Sequence, residues 1–167
     1  MNMTEGSTET AIFAAGCFWG VQYYFDQVPG VVETEVGYIG GQTENPSYEQ
    51  VCSHGTGHAE ATKITFDPRK VSYETLLKQF FRMHDPTQLN RQGPDVGDQY
   101  RSAVFYLNDG QKDLAQKLID KLNQSDYKGK IATTLEKAGK WWPAEDYHQK
   151  YTEKTGLGMC HIPYAAV

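Results

Sequence analysis

The sequence predicts an α+β fold in which helices pack against a mixed β-sheet. Segments that alternate like strands and segments with the three- and four-residue spacing of amphipathic helices share one chain, but they do not alternate strictly. The 167 residues contain no internal repeat and no linker of biased composition, so we expect a single domain spanning residues 1–167. A hydrophobic content of 39% and an aromatic content of 13% are typical of a folded globule.

The first half of the chain predicts three strands and one helix. A helix is indicated where Val21, Tyr24, Phe25 and Val28 recur at three- and four-residue intervals. The strands are indicated by apolar, β-rich or alternating runs bounded by glycine and polar residues. The predicted elements are a strand at 11–15, a helix at 18–28, a strand at 31–38 and a strand at 59–66.

The second half predicts three helices and two strands. Ser72 is a suitable N-cap for a helix that stops before Pro86, because the residue before a proline is disfavoured in the helical conformation. Regularly spaced leucines and isoleucine indicate a second amphipathic helix. After the first helix the expected elements are a loop at 90–98, a strand at 102–107, a helix at 111–123, a last strand at 131–135 and a last helix at 143–154 that Pro143 begins.

Composition predicts a cytoplasmic protein without a membrane or nucleic-acid partner. Residues 1–10 are polar and lack the basic and apolar regions of a signal peptide, so we expect a short flexible arm there and a mobile tail at 156–167. No apolar stretch approaches the length of a membrane span. Three cysteines do not make a disulfide scaffold, and a net charge of -5 without a Lys/Arg cluster disfavours nucleic acid.

Cys17 is the residue with the strongest chemical signal. It lies between Gly16 and Phe18, where the first predicted strand turns into the first helix. The unpaired N–H groups and dipole at a helix N-terminus favour an anion, so a thiolate there has a lowered pKa and is a better nucleophile. The alternative is a buried cysteine whose neighbours Phe18 and Trp19 belong to the core. The flanking glycines favour the functional interpretation.

Glu60 is a candidate general acid. Side chains alternate along a strand, so Glu60 shares a face with Ile64 and Phe66 in the predicted strand 59–66. If that face is the core, Glu60 is an inward carboxyl group without a basic partner, and its pKa is raised. The alternative is a glutamate at a strand end that turns into solvent, and the pattern alone leaves both open.

The other two cysteines lie in different surroundings. Cys52 opens a segment, 52–58, that contains cysteine and histidine, but its glycines disfavour a helix that would align the histidines as zinc ligands. We therefore expect no metal site, and Cys52 to be a packed or bystander thiol. Cys160 lies among glycines near the C-terminus, where a mobile thiol is able to condense with a sulfenic acid. The alternative is a cysteine without a role in a frayed tail.

Two loops carry further polar residues. Tyr48 follows Asn45-Pro46-Ser47, and Asp95 and Tyr100 lie in or after the turn at 93–97. Taken singly, such residues are usually surface or capping groups. Only convergence on Cys17 would give them a chemical role.

Eight short motifs occur in one order along the chain, and together they resemble the A-type peptide methionine sulfoxide reductases over nearly the whole length. They are Gly16-Cys17-Phe18-Trp19-Gly20, Gly37-Tyr38-Ile39-Gly40-Gly41, Asn45-Pro46-Ser47-Tyr48, Thr56-Gly57-His58-Ala59-Glu60, His84-Asp85-Pro86, Gln99-Tyr100-Arg101-Ser102, Glu145-Asp146-Tyr147-His148 and Gly158-Met159-Cys160-His161. The resemblance implies a two-layer α/β sandwich with a mixed sheet and a ferredoxin-like core. It also implies thiol-dependent reduction of methionine-(S)-sulfoxide, free and in proteins, as a repair of oxidised proteins.

The resemblance also implies roles for single residues. Cys17 matches the nucleophile that becomes a sulfenic acid, and Cys160 matches the cysteine that resolves it. The other matches are Phe18 and Trp19 for the methyl pocket, Glu60 for the acid at the sulfoxide oxygen, Tyr48 and Tyr100 for hydroxyl donors and Asp95 for a polar residue that orders the site. Thioredoxin or a small dithiol would supply electrons without any cofactor, and we expect a monomer.

Two features depart from the family pattern. Asp98 stands where a small hydroxyl residue is expected, which adds negative charge near Asp95. Only one cysteine, Cys160, follows the last predicted helix, so a relay through a second tail thiol is excluded. Either Cys160 resolves Cys17 directly, or Cys52 does so by an unusual route.

Two other function classes fit a reactive cysteine. One is a thiol hydrolase that pairs Cys17 with a histidine such as His148. The other is a binding module that recognises oxidised methionine or changes partners when its thiols are oxidised. Consumption of reductant distinguishes the reductase from both.

Overall fold

The computed structural model describes residues 7–53, 55–125 and 127–157. Residues 158–167 of the predicted tail, which include Cys160, lie outside these ranges, as do residues 1–6 of the predicted arm. The described strands are β1 (Glu9–Ala15), β2 (Val31–Ile39), β3 (Ala59–Phe66), β4 (Arg91–Gln92), β5 (Asp95–Val96), β6 (Ser102–Tyr106), β7 (Thr134–Lys137) and β8 (Trp142–Pro143). The helices are α1 (Phe18–Asp26), α2 (Tyr48–Cys52), α3 (Tyr73–Arg82), α4 (Asp109–Gln124) and α5 (Tyr151–Thr155), with 3₁₀ turns at Asp98–Tyr100 and Asp146–His148.

Six of these strands form one mixed sheet in the order β7-β6-β1-β3-β2-β8. All neighbours pair antiparallel except β6 and β7, which pair parallel. The central strands β6-β1-β3-β2 are joined through α1 and α3, so the chain makes two split β-α-β units. The α+β class with a mixed sheet is confirmed. The remaining strands, β4 and β5, form a small separate hairpin.

Alternation along β1 shows how the sheet separates two cores. Phe13 and its odd-numbered neighbours face α1, α3 and α4, where most of the apolar core lies. Ile12 and Ala14 face the opposite side and pack with residues of β2, β3 and β6. This opposite face is covered by the segment after β7, which places Trp141 against it. The Trp141 indole N–H also donates to Glu35 Oε1 over 2.6 Å.

Gly37 lets the segment that contains β8 approach strand β2 closely. A Cβ atom built on Gly37 would lie 2.4 Å from the Trp142 carbonyl oxygen and 2.6 Å from the Trp141 ring. Both contacts are too short for any side chain, so only glycine fits where β8 pairs with β2. The first glycine of the 37–41 motif therefore has a packing role.

The central elements lie close to their predicted positions. The strand predicted at 59–66 has the observed bounds of β3, and Ser72 is the N-cap of α3. Strand β1 starts at Glu9, two residues inside the predicted arm, and α1 ends at Asp26 rather than residue 28. Helix α4 is longer than predicted, because Asn108 caps it and accepts from the Gln111 N–H.

The C-terminal predictions need correction. The helix predicted at 143–154 is wrong, because Pro143 belongs to strand β8 and helix α5 starts only at Tyr151. A 3₁₀ turn and a left-handed Lys150 separate the two. The strand predicted at 131–135 is observed at Thr134–Lys137. The loop around residues 45–53 contains α2, whose capping box of Ser47 and Gln50 the prediction missed.

None of the helices in the described ranges combines the length and the apolar character needed to cross a membrane.

Phe13→Ala tests the central role of the helix-covered core. Phe13 is fully buried, and its ring centroid lies 5.0 Å from Phe80, 5.8 Å from Phe25 and 5.9 Å from Tyr73. We expect the free energy of unfolding in urea to fall by about 3–5 kcal/mol, because the truncation leaves a cavity. The control Val32→Ala changes an exposed side chain and should alter stability by less than about 0.5 kcal/mol. Similar losses for both variants would contradict this assignment of the core.

Candidate active site

Cys17 lies at the junction of β1 and α1, as predicted. Gly16, at φ 90°, turns the chain out of the strand, and Cys17 is the N-cap residue of α1. The Cys17 side chain is 7% exposed, so it lies just below the surface. The positive end of the α1 helix dipole favours a thiolate at this position.

Glu60 faces the helix-covered side of the sheet and is 1% exposed. The Phe18 N–H donates to Glu60 Oε1 over 3.2 Å, so the carboxyl group is held one residue from Cys17. Glu60 Oε2 is buried and has no hydrogen-bond partner among the described residues. Burial raises the pKa of Glu60 to about 8; the Phe18 N–H opposes this shift and the charge of Asp95 adds to it. Glu60 therefore holds a proton at neutral pH.

Tyr48 and Tyr100 converge on the same carboxyl group. Burial, with the nearby charge of Glu60 as the second cause, raises the pKa of both phenols, so they remain hydrogen-bond donors at working pH. Tyr48 is the first residue of α2, and Tyr100 ends the 3₁₀ turn before β6. Two loops that the sequence left unplaced thus meet at Glu60.

Cys52 belongs to this cluster, which the sequence did not predict. Its thiol lies near the hydroxyls of Tyr48 and Tyr100. Burial raises the pKa of Cys52, and the Glu60 charge raises it further against the effect of the two hydroxyls, so the thiol stays protonated. The four-residue spacing between Tyr48 and Cys52 places both side chains on one face of α2. This spacing has meaning only in a helix, and the sequence predicts no helix there.

Asp95 lies in the β4–β5 hairpin and acts on the site through its charge. Its carboxylate contributes to the raised pKa of Glu60, and its buried Oδ2 has no hydrogen-bond partner within the described ranges. Asp98 begins the following 3₁₀ turn, where its carbonyl oxygen accepts from Arg101 Nη1 over 3.0 Å. The hairpin therefore directs Asp95 toward Glu60, while Asp98 helps to anchor the turn.

Phe18 and Trp19 form an aromatic wall with residues from the end of the chain. The Trp19 ring stacks on Tyr151 at 4.0 Å between centroids, and its indole N–H donates to His148 Nδ1 over 2.8 Å. His148 is fully buried and also packs against Phe18 and Tyr48. Burial lowers the pKa of His148 against the opposing charge of Glu145, so the neutral ring accepts from Trp19. From the sequence alone, His148 has a role only in the thiol-hydrolase hypothesis, as the partner of Cys17.

The histidine-containing loop 55–58 has a structural role at His58. The Gly41 N–H donates to His58 Nδ1 over 3.0 Å, and His58 Nε2 lies 2.7 Å from the Thr43 carbonyl oxygen. The ring therefore ties the start of β3 to the loop after β2. Within the ranges that the structure describes, no group of three or more His, Cys, Asp or Glu residues is arranged to hold a metal ion.

Comparison with known proteins identifies the family and the fold. A sequence model of the family described as peptide methionine sulfoxide reductase matches residues 9–167. The chain belongs to this family. It is 52% identical over 155 residues to the peptide methionine sulfoxide reductase of Methanothermobacter thermautotrophicus, covering 92% of each chain. It is 54% identical over 157 residues to that of Methanosarcina acetivorans, covering 93% of this chain and 83% of the relative.

Solved structures of the family share the fold. Methionine sulfoxide reductase A of Corynebacterium diphtheriae superposes with a TM-score of 0.84 at 36% identity, covering 94% of this chain and 84% of that chain. Reduced Mxr1 from Saccharomyces cerevisiae gives a TM-score of 0.84 at 33% identity, covering 96% and 90%. Mxr1 in complex with Trx2 gives a TM-score of 0.61 at 22% identity, covering 87% and 86%. The peptide methionine sulfoxide reductase family is a family of oxidoreductases, and this membership sets aside the hydrolase and binding-module hypotheses.

His148→Phe tests whether the hydrogen bond to Trp19 shapes the substrate pocket. Phenylalanine keeps an aromatic ring but leaves the Trp19 N–H without its acceptor. Loss of one such bond is worth about 1 kcal/mol, so we expect KM for methionine sulfoxide to rise about fivefold with a smaller effect on kcat. Steady-state kinetics with excess dithiothreitol measure both constants. An unchanged KM would contradict a role for this bond.

Proposed function

We propose that the protein reduces methionine-(S)-sulfoxide, free and in proteins, with Cys17 as nucleophile and Glu60 as general acid. The observation that carries this proposal is the buried, protonated Glu60, which is hydrogen-bonded to the residue after Cys17 and has one oxygen without a partner among the described residues. A sulfoxide oxygen is a poor leaving group until it receives a proton. A carboxyl group with a pKa of about 8 still holds its proton at neutral pH.

The first step forms methionine and a sulfenic acid. The Cys17 thiolate attacks the sulfoxide sulfur while Glu60 donates its proton to the oxygen. This attack forms an S–S bond between Cys17 and the substrate. The hydroxyl group then leaves the substrate sulfur with the S–O electron pair and bonds to the Cys17 sulfur, while the S–S bond breaks and its electron pair remains on the methionine sulfur. Tyr48 and Tyr100 donate to the oxygen as its negative charge develops. Burial keeps Glu60 protonated, and the charge of Asp95 adds to this effect by raising the pKa of that carboxyl group further.

The pocket accounts for selection between epimers. The sulfoxide sulfur carries an oxygen, a methyl group and the rest of the methionine side chain. Phe18 and Trp19 bind the methyl group on an apolar wall, and the acid and phenols bind the oxygen on the other side. Once these two groups are placed, only one epimer lets the remaining chain leave toward solvent, and resemblance to the A-type enzymes assigns it as S.

Recycling of Cys17 requires a second thiol. We assign this role to Cys160, whose thiol condenses with the Cys17 sulfenic acid to form a disulfide and water. A dithiol such as thioredoxin then reduces the disulfide, and the solved complex of the yeast relative Mxr1 with Trx2 supports this reductant. The reaction needs no cofactor in this scheme. We place the enzyme in the cytoplasm as a monomer that repairs oxidised proteins.

Peptide mapping after one turnover without reductant tests the resolving step. Incubation with stoichiometric methionine-(S)-sulfoxide should produce a Cys17–Cys160 disulfide, and Cys17→Ser should abolish methionine release. The matched controls are Cys160→Ser and Cys52→Ser. The first should stop at the sulfenic acid, which is trapped with dimedone, and the second should leave the disulfide unchanged. A Cys17–Cys52 disulfide would show that Cys52 resolves Cys17, and it would contradict the assignment of this step to Cys160.

The pH profile tests the acid. Protonated Glu60 is the active form, so single-turnover methionine release should fall as pH rises through about 8. Glu60→Gln should lower this rate by about 100-fold or more, because the amide has no acidic proton. Asp95→Asn removes a charge that raises the pKa of Glu60, so the alkaline fall should move to lower pH. A Glu60→Gln variant with nearly full activity would refute the acid role.

A further inference from the structure

Glu145 links strand β2 to helix α2, which begins at Tyr48. The Tyr38 hydroxyl donates to Glu145 Oε1 over 2.9 Å, and the Tyr48 backbone N–H donates to Glu145 Oε2 over 2.9 Å. Tyr38 is fully buried in β2, and its ring packs 5.7 Å from that of Phe18. Both oxygens of one carboxylate are therefore engaged, each by a donor from a different element.

The carboxylate is itself held in place by the chain on either side of it. On one side, the Ala144 N–H donates to the Val36 carbonyl oxygen over 2.9 Å. On the other side, the Gln149 side chain accepts from the Val36 N–H over 3.0 Å and donates to the Val36 carbonyl oxygen over 2.9 Å. The pairing of β8 with β2 immediately precedes this region. Glu145 thus lies between two contacts with β2, a backbone hydrogen bond at Ala144 before it and the Gln149 side chain after it.

Helix α2 needs such an external contact. It has five residues, which is too short for a helix to be stable by its own hydrogen bonds. Ser47 Oγ accepts from the Gln50 N–H, and the Gln50 side chain accepts from the Ser47 N–H. The Tyr48 N–H is one of the N–H groups that have no partner within a helix, and Glu145 accepts it. The position of Glu145 therefore sets where α2 begins.

Glu145 is the charged member of this contact. Burial alone would raise its pKa, but the N–H groups of Tyr48 and of Glu145 itself, together with the Tyr38 hydroxyl, outweigh burial and lower the pKa. At neutral pH the group is a carboxylate, and hydrogen bonds to an ionised acceptor are the stronger kind. The contact is therefore suited to hold the backbone of Tyr48 in one position.

We propose that Glu145 is a positioning residue for sulfoxide reduction, which holds the Tyr48 hydroxyl at the oxygen-binding side of the site through the Tyr48 backbone N–H. This inference rests on the donor role proposed above for Tyr48. It adds that the C-terminal part of the chain takes part in the chemistry from a distance, through a residue that does not touch the substrate. Displacement of a reacting group by about 1 Å costs up to about 100-fold in rate.

A double-mutant cycle tests the proposal. The rate of methionine release is measured in a single turnover without reductant for Glu145→Ala, Tyr48→Phe and the double variant. We expect Glu145→Ala to lose about tenfold, and the double variant to be no slower than Tyr48→Phe within about twofold, because the hydroxyl that Glu145 positions is already absent. Losses that multiply in the double variant, or a Glu145→Ala rate equal to that of the unmodified enzyme, would overturn the proposal.

Two further variants distinguish positioning from charge, and they serve if Glu145→Ala does not fold. Glu145→Gln is neutral, but its oxygen accepts from the Tyr48 N–H while its NH₂ group donates to the Tyr38 hydroxyl. Glu145→Asp keeps the charge but is one methylene too short to reach both donors. Positioning predicts that the Gln variant stays within about threefold of the unmodified enzyme and the Asp variant is slower. The reverse order would overturn the proposal.

Tyr38→Phe separates stability from rate. It removes the other hydrogen bond of Glu145 but leaves the Tyr48 N–H bond and the aromatic packing. We expect a lower Tm with a single-turnover rate within about twofold of the unmodified enzyme. A loss of rate equal to that of Glu145→Ala would overturn the proposal. Failure of the underlying function has a different signature, because Tyr48→Phe would then be as fast as the unmodified enzyme.

Discussion

The hydrogen bond between the Phe18 N–H and the buried carboxyl group of Glu60 is the constraint around which the site is built. It joins the start of α1 to β3, and it places the acid one residue from Cys17. Burying a carboxyl group is unfavourable unless it stays protonated, and the surroundings of Glu60 keep it so. A proton donor and the N-terminal end of α1, whose dipole favours a thiolate, are thereby brought together.

The sheet explains how distant segments reach this point. Glu60 is the second residue of β3. The segment between β2 and β3 supplies α2, and the segment between α3 and β6 supplies the β4–β5 hairpin. The C-terminal segment then crosses the opposite face of the sheet and pairs with β2. In this segment His148 accepts a hydrogen bond from Trp19, and Glu145 accepts one from the first residue of α2. The segment that covers the second face of the sheet therefore continues into the residues that reach the site.

Much of the central fold could be predicted because its signals are local. Alternation in residues 59–66 indicated the bounds of β3 and offered an inward Glu60 as one of two alternatives, and the change of spacing after Cys17 located the start of α1. The C-terminal region could not be predicted in this way. Its conformation is set by β2, through the side chain of Gln149 and the short β8 pairing, rather than by its own periodicity.

The sequence by itself determined which family the chain belongs to and which residues are candidates for its chemistry, because a cysteine at a strand–helix junction, a glutamate within a strand and a set of ordered motifs are properties of residue type and spacing. Only the tertiary structure decided how they cooperate. It places Cys52 near Tyr48 and Tyr100. It also forms the hydrogen bonds between Trp19 and His148 and between Tyr48 and Glu145. These contacts link residues that are far apart in the chain or lie in a helix too short to have a periodic pattern, so no local signal specifies them.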